Sequence, residues 1–200
     1  MDIKFKPMGE YQTNCYIVSI DNKDYIIDPG VGATSWIEKN VKNPVAILNT
    51  HGHFDHVWSN AEVSKKYNIP IYCPKDDEFL LENDLFHLEK PTSKADYQVK
   101  PDETVDIDSV KFKFWHFPGH TPGCSTIEIE NVWFSGDFLF KGSIGRWDFP
   151  YSNKFDMLKS LEKVKSIQKD YILLPGHGSK STLQEELKYI DYWVNIVKKS

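Results

Sequence analysis

The segment Thr50-His51-Gly52-His53-Phe54-Asp55-His56 places three imidazole rings and one carboxylate within six residues, directly after an apolar run. Imidazole is the commonest protein ligand for zinc and similar metals, and carboxylate often completes such sites. In an extended chain, His51 and His53 point to the same side, whereas a turn can aim the following Asp-His pair at a second point nearby. A solvated loop that is merely polar has no need of repeated imidazole. The segment therefore predicts two neighbouring metal ions, an arrangement typical of hydrolases.

The composition is that of a globular chain. Its 200 residues are 40% hydrophobic and 14% aromatic, which predicts one domain, residues 1–200, with a core of its own. The formal net charge of −5 argues against nucleic acid as a partner. The three cysteines (Cys15, Cys73 and Cys124) are too few for a disulfide framework and indicate reduced thiols. We expect a cytoplasmic protein without membrane contact, since neither a signal-peptide core nor a bilayer-length apolar run is present.

Strand-like and helix-like segments alternate along the chain, which predicts an α/β fold. Apolar, β-branched runs predict strands at 2–6, 14–20, 23–28, 45–49, 69–72, within 104–134 and at 171–174. Helices are predicted at 33–42, 57–67, 75–83, 154–167 and 181–199. The last of these carries an apolar stripe typical of core packing, formed by Leu183, Leu187, Ile190, Val194 and Val197. Residues 84–103 are polar and irregular and receive no assignment.

Three further motifs follow strand-like runs, each with one candidate ligand on a glycine-containing turn. The motifs are Pro118-Gly119-His120-Thr121-Pro122-Gly123, Ser135-Gly136-Asp137 and Pro175-Gly176-His177-Gly178. Glycine permits close backbone approach, and strand ends are where α/β proteins usually place their sites. Each turn by itself is compatible with a structural role. Three such turns together with the histidine segment predict one shared site.

With these motifs in this order, the sequence resembles the metallo-β-lactamase superfamily. The pattern His-x-His-x-Asp-His, Gly-His, Asp and His spans residues 51–177, and Asp28-Pro29-Gly30 matches the early turn of the family. The resemblance implies a four-layer αβ/βα sandwich, with two sheets face to face and helices outside. It also implies two divalent metal ions, zinc in the first place, with iron or manganese as alternatives. The implied ligands are His51, His53 and His120 for one ion, Asp55, His56 and His177 for the other, and Asp137 as the bridge.

Within the superfamily, the sequence is most similar to short-form glyoxalase II proteins, over the loops 119–123 and 135–150. This implies hydrolysis of a small-molecule acyl thioester such as S-lactoylglutathione, by a metal-bridging hydroxide that Asp55 orients as a catalytic residue. Arg146 lies where these proteins carry a basic residue that contacts glutathione, and an ion pair with Asp148 is the equally weighted alternative. The family's C-terminal helical region, with further basic glutathione contacts, has no counterpart in these residues. Cys124 also replaces a histidine that is common there.

A second branch shares part of this pattern. Persulfide dioxygenases are mononuclear iron oxidoreductases, and they resemble this chain in the loop 145–149 and in the Gly-Cys at Cys124. The motif around His177 argues against this alternative, because it completes a second metal site. True β-lactamases fit less well, since they lack the bridging aspartate found here as Asp137.

Several other residues near the motifs have two interpretations each. Asp28 either orients a metal-binding loop or serves only in its turn. His116 is either a supporting residue of the site or a packed strand end, and His87 is expected at the surface or in a lid. Trp58 and Trp147 flank the motifs, where either pocket walls or core packing would use them.

Overall fold

Two six-stranded mixed sheets form the framework of the protein, seen in a computed structural model that describes residues 1–200. In chain order, the strands of the first sheet are β1 Asp2–Met8, β2 Thr13–Ile20, β3 Lys23–Ile27, β4 Pro44–Leu48, β5 Ile71–Pro74 and β6 Tyr97–Val99. The next four strands, β7 Thr104–Ile107, β8 Val110–His116, β9 Ser125–Ile129 and β10 Val132–Gly136, belong to the second sheet. A separate hairpin follows, formed by β11 Leu139–Phe140 and β12 Ser143–Ile144. The last two strands of the second sheet are β13 Ile172–Pro175 and β14 Ser181–Thr182. Spatial order is sequential in the first sheet and β14-β13-β10-β9-β8-β7 in the second.

Seven helices accompany the sheets. They are α1 Thr34–Asn40, α2 Phe54–Val57, α3 Asn60–Tyr67, α4 Glu78–Glu82, α5 Lys154–Lys165, α6 Leu183–Leu187 and α7 Ile190–Lys199. A 3-10 turn at Lys75–Asp77 leads into α4. None of the helices is long and apolar enough to cross a membrane.

The core has three apolar clusters, which correspond to the spaces between four layers. The central cluster joins the inner faces of the two sheets, with Tyr25 of β3 against Phe112 of β8. A second cluster packs α1 and α3 against the outer face of the first sheet, through Ile37 and Val63. A third packs α5 and α7 against the outer face of the second sheet. The predicted αβ/βα sandwich is therefore confirmed.

Two predicted helices are interrupted in the structure. Instead of one helix over 181–199, Ser181–Thr182 extends the second sheet, and α6 and α7 follow with a break at 188–189. The buried Glu186 carboxylate accepts a hydrogen bond from the backbone N–H of Gly142, so α6 is tied to the β11–β12 hairpin. The helix predicted at 57–67 begins only at Asn60, as α3, while Val57 ends the preceding helix α2. Between them, Ser59 donates hydrogen bonds to the carbonyls of Pro29 and Gly30.

The topology gathers the predicted motifs at one edge of the sandwich. β10 and β13 are parallel, so the loops after them leave at one end of the second sheet. The loop after β4 meets them there, since donor atoms of His56 and His177 lie within 4.8 Å of each other. The two sheets are joined there by a hydrogen bond from the Asn14 N–H to the Gly176 carbonyl, 2.7 Å long. The segment 84–103, which received no assignment, supplies only the edge strand β6.

Candidate metal centre

The histidine segment leaves β4 and folds immediately into the one-turn helix α2. His51 and His53 lie in the extended part, whereas Asp55 and His56 lie on the helix and face another direction. The side chains of Asn49 and Asn60 exchange hydrogen bonds and fasten the loop to α3. The change of direction inferred from sequence is thus made by a turn of helix.

The structure brings all seven predicted ligands together. Three groups have donor atoms within 4.8 Å of one another: a first triad of His51, His53 and His120, a second triad of Asp55, His56 and His177, and a group of Asp28, His51 and His56 that joins the two. Asp137 lies between the two triads. Its Oδ2 is 3.4 Å from the Nε2 atoms of both His120 and His177, and its Oδ1 is 3.3 Å from His56 Nε2. One carboxylate therefore reaches both triads, as a bridging ligand must.

Buried atoms without hydrogen-bond partners show that this donor set fits a metal. His51 Nε2 and His53 Nε2 are buried and make no hydrogen bond, which is costly for polar groups unless another ligand satisfies them. His53 Nδ1 and His120 Nε2 face each other at 2.9 Å. Imidazole nitrogens and a carboxylate suit zinc, iron or manganese. The role of the seven residues as ligands stays a prediction.

Gly176 is required beside the second triad. A Cβ at this position would lie 2.2 Å from Asp137 Oδ1 and 2.7 Å from His56 Cε1. Any side chain here would displace the carboxylate or the imidazole. The glycine of the Pro-Gly-His-Gly motif thus allows the loop after β13 to approach the loop after β10.

Asp28 supports the second triad. Its Oδ1 accepts a hydrogen bond from the Thr50 N–H at 2.8 Å, and its Oδ2 accepts one from the Thr50 hydroxyl at 2.6 Å. The same Oδ2 lies 3.0 Å from His56 Nδ1. When His56 donates its Nδ1–H to Asp28, the ring is oriented so that its Nε2 faces the other two residues of the triad. The loop-orienting interpretation of Asp28 is therefore the one that the geometry supports.

Asp77 performs the corresponding task for the first triad, and the sequence analysis missed it. The side chain is fully buried and accepts hydrogen bonds from the Gly52 N–H at 2.9 Å, the Thr121 hydroxyl at 2.6 Å and the Gly123 N–H at 2.6 Å. It thereby ties the loop of His51 and His53 to the loop of His120. Burial raises the pKa of Asp77 despite these bonds. Its sequence context, 75–78, is a run of charged residues that is more typical of a solvated helix start.

The histidine from each later motif is oriented by a backbone carbonyl. His120 Nδ1 lies 2.8 Å from the Arg146 carbonyl, and His177 Nδ1 lies 2.9 Å from the Tyr11 carbonyl. A carbonyl only accepts, so Nδ1 carries the proton and Nε2 faces the site. This fixes the tautomer that metal binding requires.

Thr13 is a second residue that the sequence analysis did not single out. It is buried at the start of β2, and its hydroxyl donates a 2.6 Å hydrogen bond to Asp55 Oδ2. Thr13 also forms an isolated antiparallel bridge with His177. No local pattern distinguishes this threonine from others in strands, because its role depends on the contact between the two sheets.

The two triads differ in protonation. Burial lowers the pKa of His53 to about 3, so this ring is neutral at pH 7. Burial also opposes charge on His56 and His177, but the carboxylates Asp55 and Asp137 outweigh it. They raise the pKa of His56, and they raise that of His177 to about 9. Burial disfavours ionisation of Asp55 too, yet the charge of His56 lowers its pKa to about 2.

A cavity of about 390 Å³ opens above the two triads. Besides the site residues His53, Asp55, His120, Asp137 and His177, it is lined by Tyr11, Phe54, Phe86 and Phe149. The two tryptophans considered as walls lie elsewhere: Trp58 borders a groove beside α1 and α3, and Trp147 packs against the outer cluster of the second sheet.

Arg146 adopts the alternative arrangement considered for it. Its Nε and Nη2 donate hydrogen bonds to the two carboxylate oxygens of Asp148, both 2.8 Å long, and its guanidinium lies 4.2 Å from the ring centre of Phe149. Both partners of the ion pair are exposed. A contact with substrate stays a prediction. His116 is a packed strand end whose Nε2 lies 2.9 Å from the Pro122 carbonyl, and His87 is exposed.

The remaining prediction near the site concerns the thiols. Cys15, Cys73 and Cys124 are all free and buried, as expected for reduced cysteines. Burial raises the pKa of each well above its ordinary value, so the thiols are protonated.

Comparison with known proteins agrees with this geometry. The family model described as metallo-beta-lactamase superfamily matches residues 8–177. The chain belongs to the metallo-β-lactamase superfamily. Its two mixed sheets flanked by helices form the fold of the family.

Relatives with similar length are found among both sequences and structures. A Haemophilus influenzae protein named hydroxyacylglutathione hydrolase GloC is 33% identical over 201 residues, 93% of this chain and 95% of that protein. The crystal structure of BLEG-1 B3 metallo-beta-lactamase has a TM-score of 0.86 at 30% identity and covers 96% of this chain and 99% of that one. The structure of TTHA1623 in a di-iron-bound form has a TM-score of 0.79 at 30% identity, with coverage of 90% and 94%. The family, these relatives and the buried histidine–aspartate clusters together indicate a metal-dependent hydrolase.

Proposed function

We propose that the protein is a binuclear metallohydrolase of small acyl thioesters, of the hydroxyacylglutathione hydrolase type. The observation that carries the proposal is the position of Asp137, within 3.4 Å of histidines from both triads. A carboxylate between two groups of ligands is placed to coordinate two cations at once. The relative named GloC supports the thioester class, and the di-iron-bound relative supports two ions.

Each triad would hold one ion, with Asp137 shared between them. When bound, two divalent cations supply Lewis-acid polarisation of the thioester carbonyl and lower the pKa of a water molecule towards about 7. Asp55 lines the cavity, is ionised at neutral pH and is anchored at Oδ2 by Thr13. Its carboxylate would orient the attacking water.

The chemistry of the leaving group also favours a thioester. A thiol has a pKa of about 8.5, so a thiolate leaves without receiving a proton from the protein. An amine leaving group would require a proton donor, whereas all five histidines of the triads are engaged as proposed ligands. The alternative, a mononuclear iron persulfide dioxygenase, would leave the second triad without a role.

The test begins with protein purified without added metal and then reconstituted separately with zinc, iron or manganese. Metal content per chain is measured by elemental analysis. Thiol release from S-lactoylglutathione and from a neutral acetyl thioester is followed alongside ring opening of a β-lactam and oxygen uptake with glutathione persulfide. We expect about two ions per chain and thiol release as the main activity. Saturation at one ion, with persulfide-dependent oxygen uptake, would overturn the proposal in favour of the dioxygenase.

A further inference from the structure

Four aromatic side chains stand around the mouth of the metal cavity, and their segments are far apart in sequence. Tyr11 lies between β1 and β2, Phe54 begins α2, Phe86 follows α4, and Phe149 lies in the loop after β12. We call these four residues the aromatic collar. Tyr11 and Phe149 are 59% and 38% exposed, and Phe54 and Phe86 are half-buried. Exposed aromatic rings that cluster over a cavity mark a binding surface more often than single apolar residues do.

The collar rests directly on the candidate ligands. Tyr11 and Phe54 meet edge to face at 5.1 Å between ring centres, and Phe86 is 5.8 Å from both Phe54 and His53. Phe149 completes the opposite side, 6.1 Å from the His53 ring. A group attached to a carbonyl held at the triads therefore has an aromatic ring as its next neighbour.

The segment that carries Phe86 is held in place by hydrogen bonds. The neighbouring Lys90 is only 6% exposed, and its ammonium donates a 2.8 Å hydrogen bond to the Leu81 carbonyl near the end of α4. Asp84 accepts hydrogen bonds from the backbone N–H groups of Leu88 and Glu89. These contacts hold Phe86 over the cavity.

Apart from the candidate ligands, the cavity lining contains no basic side chain, since neither lysine nor arginine is part of it. Arg146, three residues before Phe149 in the same loop, donates two hydrogen bonds to Asp148 and stacks on Phe149. Its guanidinium is therefore already paired within the chain. Outside the candidate ligands, the mouth thus offers the carboxylates of glutathione no lysine or arginine that is not already paired.

We infer that the aromatic collar selects uncharged thioesters with an apolar, ring-sized group next to the thioester bond over glutathione thioesters. The inference rests on the proposed function and specifies its substrate class. The apolar group can belong to the acyl or to the thiol part, since both flank the carbonyl carbon at the triads. Burial of such a group against Phe86 and Phe149 would supply the preference.

The test compares kcat/KM for four thioesters with the reconstituted enzyme. S-acetyl-N-acetylcysteamine is the reference, S-phenylacetyl-N-acetylcysteamine carries the ring on the acyl side, S-benzyl thioacetate carries it on the thiol side, and S-lactoylglutathione is the charged compound. We expect at least one ring-bearing compound to exceed both the reference and S-lactoylglutathione by about tenfold or more, within the range of apolar pocket selectivity. The position of the ring in that compound identifies which part of the substrate the collar contacts.

Substitutions in the aromatic collar test whether these residues cause the preference for ring-bearing thioesters. Phe86→Ala and Phe149→Ala should each reduce the ratio between the ring-bearing compound and the reference by about fivefold to tenfold, and Phe86→Leu should restore most of it. Phe155→Ala, which removes a 66% exposed ring on α5 away from the cavity, should leave the ratio unchanged. Phe86→Lys should shift the preference towards S-lactoylglutathione.

Two outcomes separate the inference from the proposed function. If thioesters are hydrolysed but S-lactoylglutathione equals or exceeds the ring-bearing compounds, the collar does not select apolar groups, and the proposed function stands. A ratio that is unaffected by all collar variants also overturns the inference. If no thioester is hydrolysed, both are wrong.

Discussion

The first triad consists of three buried imidazoles, whereas the second combines the Asp55 carboxylate with two imidazoles, the buried His56 and His177, whose side chain is 28% exposed. A buried carboxylate outside each triad holds it in place, Asp77 for the first and Asp28 for the second. Burial lowers the pKa of His51 and His53 in the first triad, whereas the histidine pKa values of the second triad are raised because carboxylates surround its rings. The difference indicates that the first site is ready to bind a cation, while the second must release protons to do so.

The largest expected effect comes from the residue that the two triads share. Asp137→Asn keeps the size of the side chain but removes the charge that would balance two cations. We expect the rate of thioester hydrolysis to fall by at least about 10²-fold, the order found when a main electrostatic element is removed. Metal content should fall at both sites. Turnover and elemental analysis measure the two effects.

The control for this variant is Asp191→Asn, which changes an exposed aspartate on α7 that pairs with Lys165. It should retain full activity and metal content. Near-normal turnover of the Asp137 variant would contradict the shared role of this carboxylate and with it the binuclear mechanism.

The supporting carboxylates provide the sharpest way to separate the two triads. Asp77 accepts hydrogen bonds at both oxygens, so Asp77→Asn must leave at least one donor of the first-triad loops unsatisfied. We expect the affinity for the ion of the first triad to fall by about 10–100-fold, as for other groups that orient metal ligands. Asp28→Asn should reduce the affinity of the second triad in the same range.

Competition with a chelator at several pH values identifies which ion each variant loses, because only binding at the second triad should depend strongly on pH. Thermal unfolding of the metal-free proteins shows whether a variant is merely less stable. Equal loss at both sites in both variants would contradict the assignment of one supporting carboxylate to each triad.

The contrast in pKa leads to a third prediction. In the metal-free protein His177 titrates at about 9 and is protonated below that pH. A cation binds only neutral imidazole, so its apparent affinity at the second triad should fall as the pH decreases from 9 to 6, about tenfold per unit for each proton released. Burial lowers the pKa of His51 and lowers that of His53 to about 3, so these two rings are already neutral and the affinity of the first triad should change less over this range.

Calorimetric titration in two buffers with different ionisation enthalpies counts the protons released at each binding step. We expect close to none for the first ion and at least one for the second. Equal proton release in both steps would show that the triads do not differ in charge.

The pattern of candidate ligands could be predicted from the sequence, but Asp77 and Thr13, which hold these ligands in place, could not. The seven candidate ligands lie on short motifs after strands, so their spacing and order place them at one edge of an α/β fold. Asp77 and Thr13 gave no such signal, because each acts across a contact between elements that are distant in sequence. The apolar stripe after residue 182 correctly indicated a buried face. It did not reveal the break between α6 and α7, where the buried Glu186 ties α6 to a hairpin.

The smallest expected effect lies outside both triads, at Arg146. Its exposed side chain pairs with Asp148 and does not line the cavity, and exposed ion pairs contribute little. Arg146→Ala should therefore change the KM for S-lactoylglutathione by no more than about threefold and leave kcat nearly unchanged. The same substitution should leave metal content and the pH dependence of metal binding unchanged, because only the backbone carbonyl of Arg146 contacts His120. A large rise in KM confined to glutathione thioesters would show that the guanidinium leaves Asp148 to bind substrate. An equal fall in kcat and kcat/KM would instead place it in stabilisation of the transition state, and would join this loop functionally to the first triad.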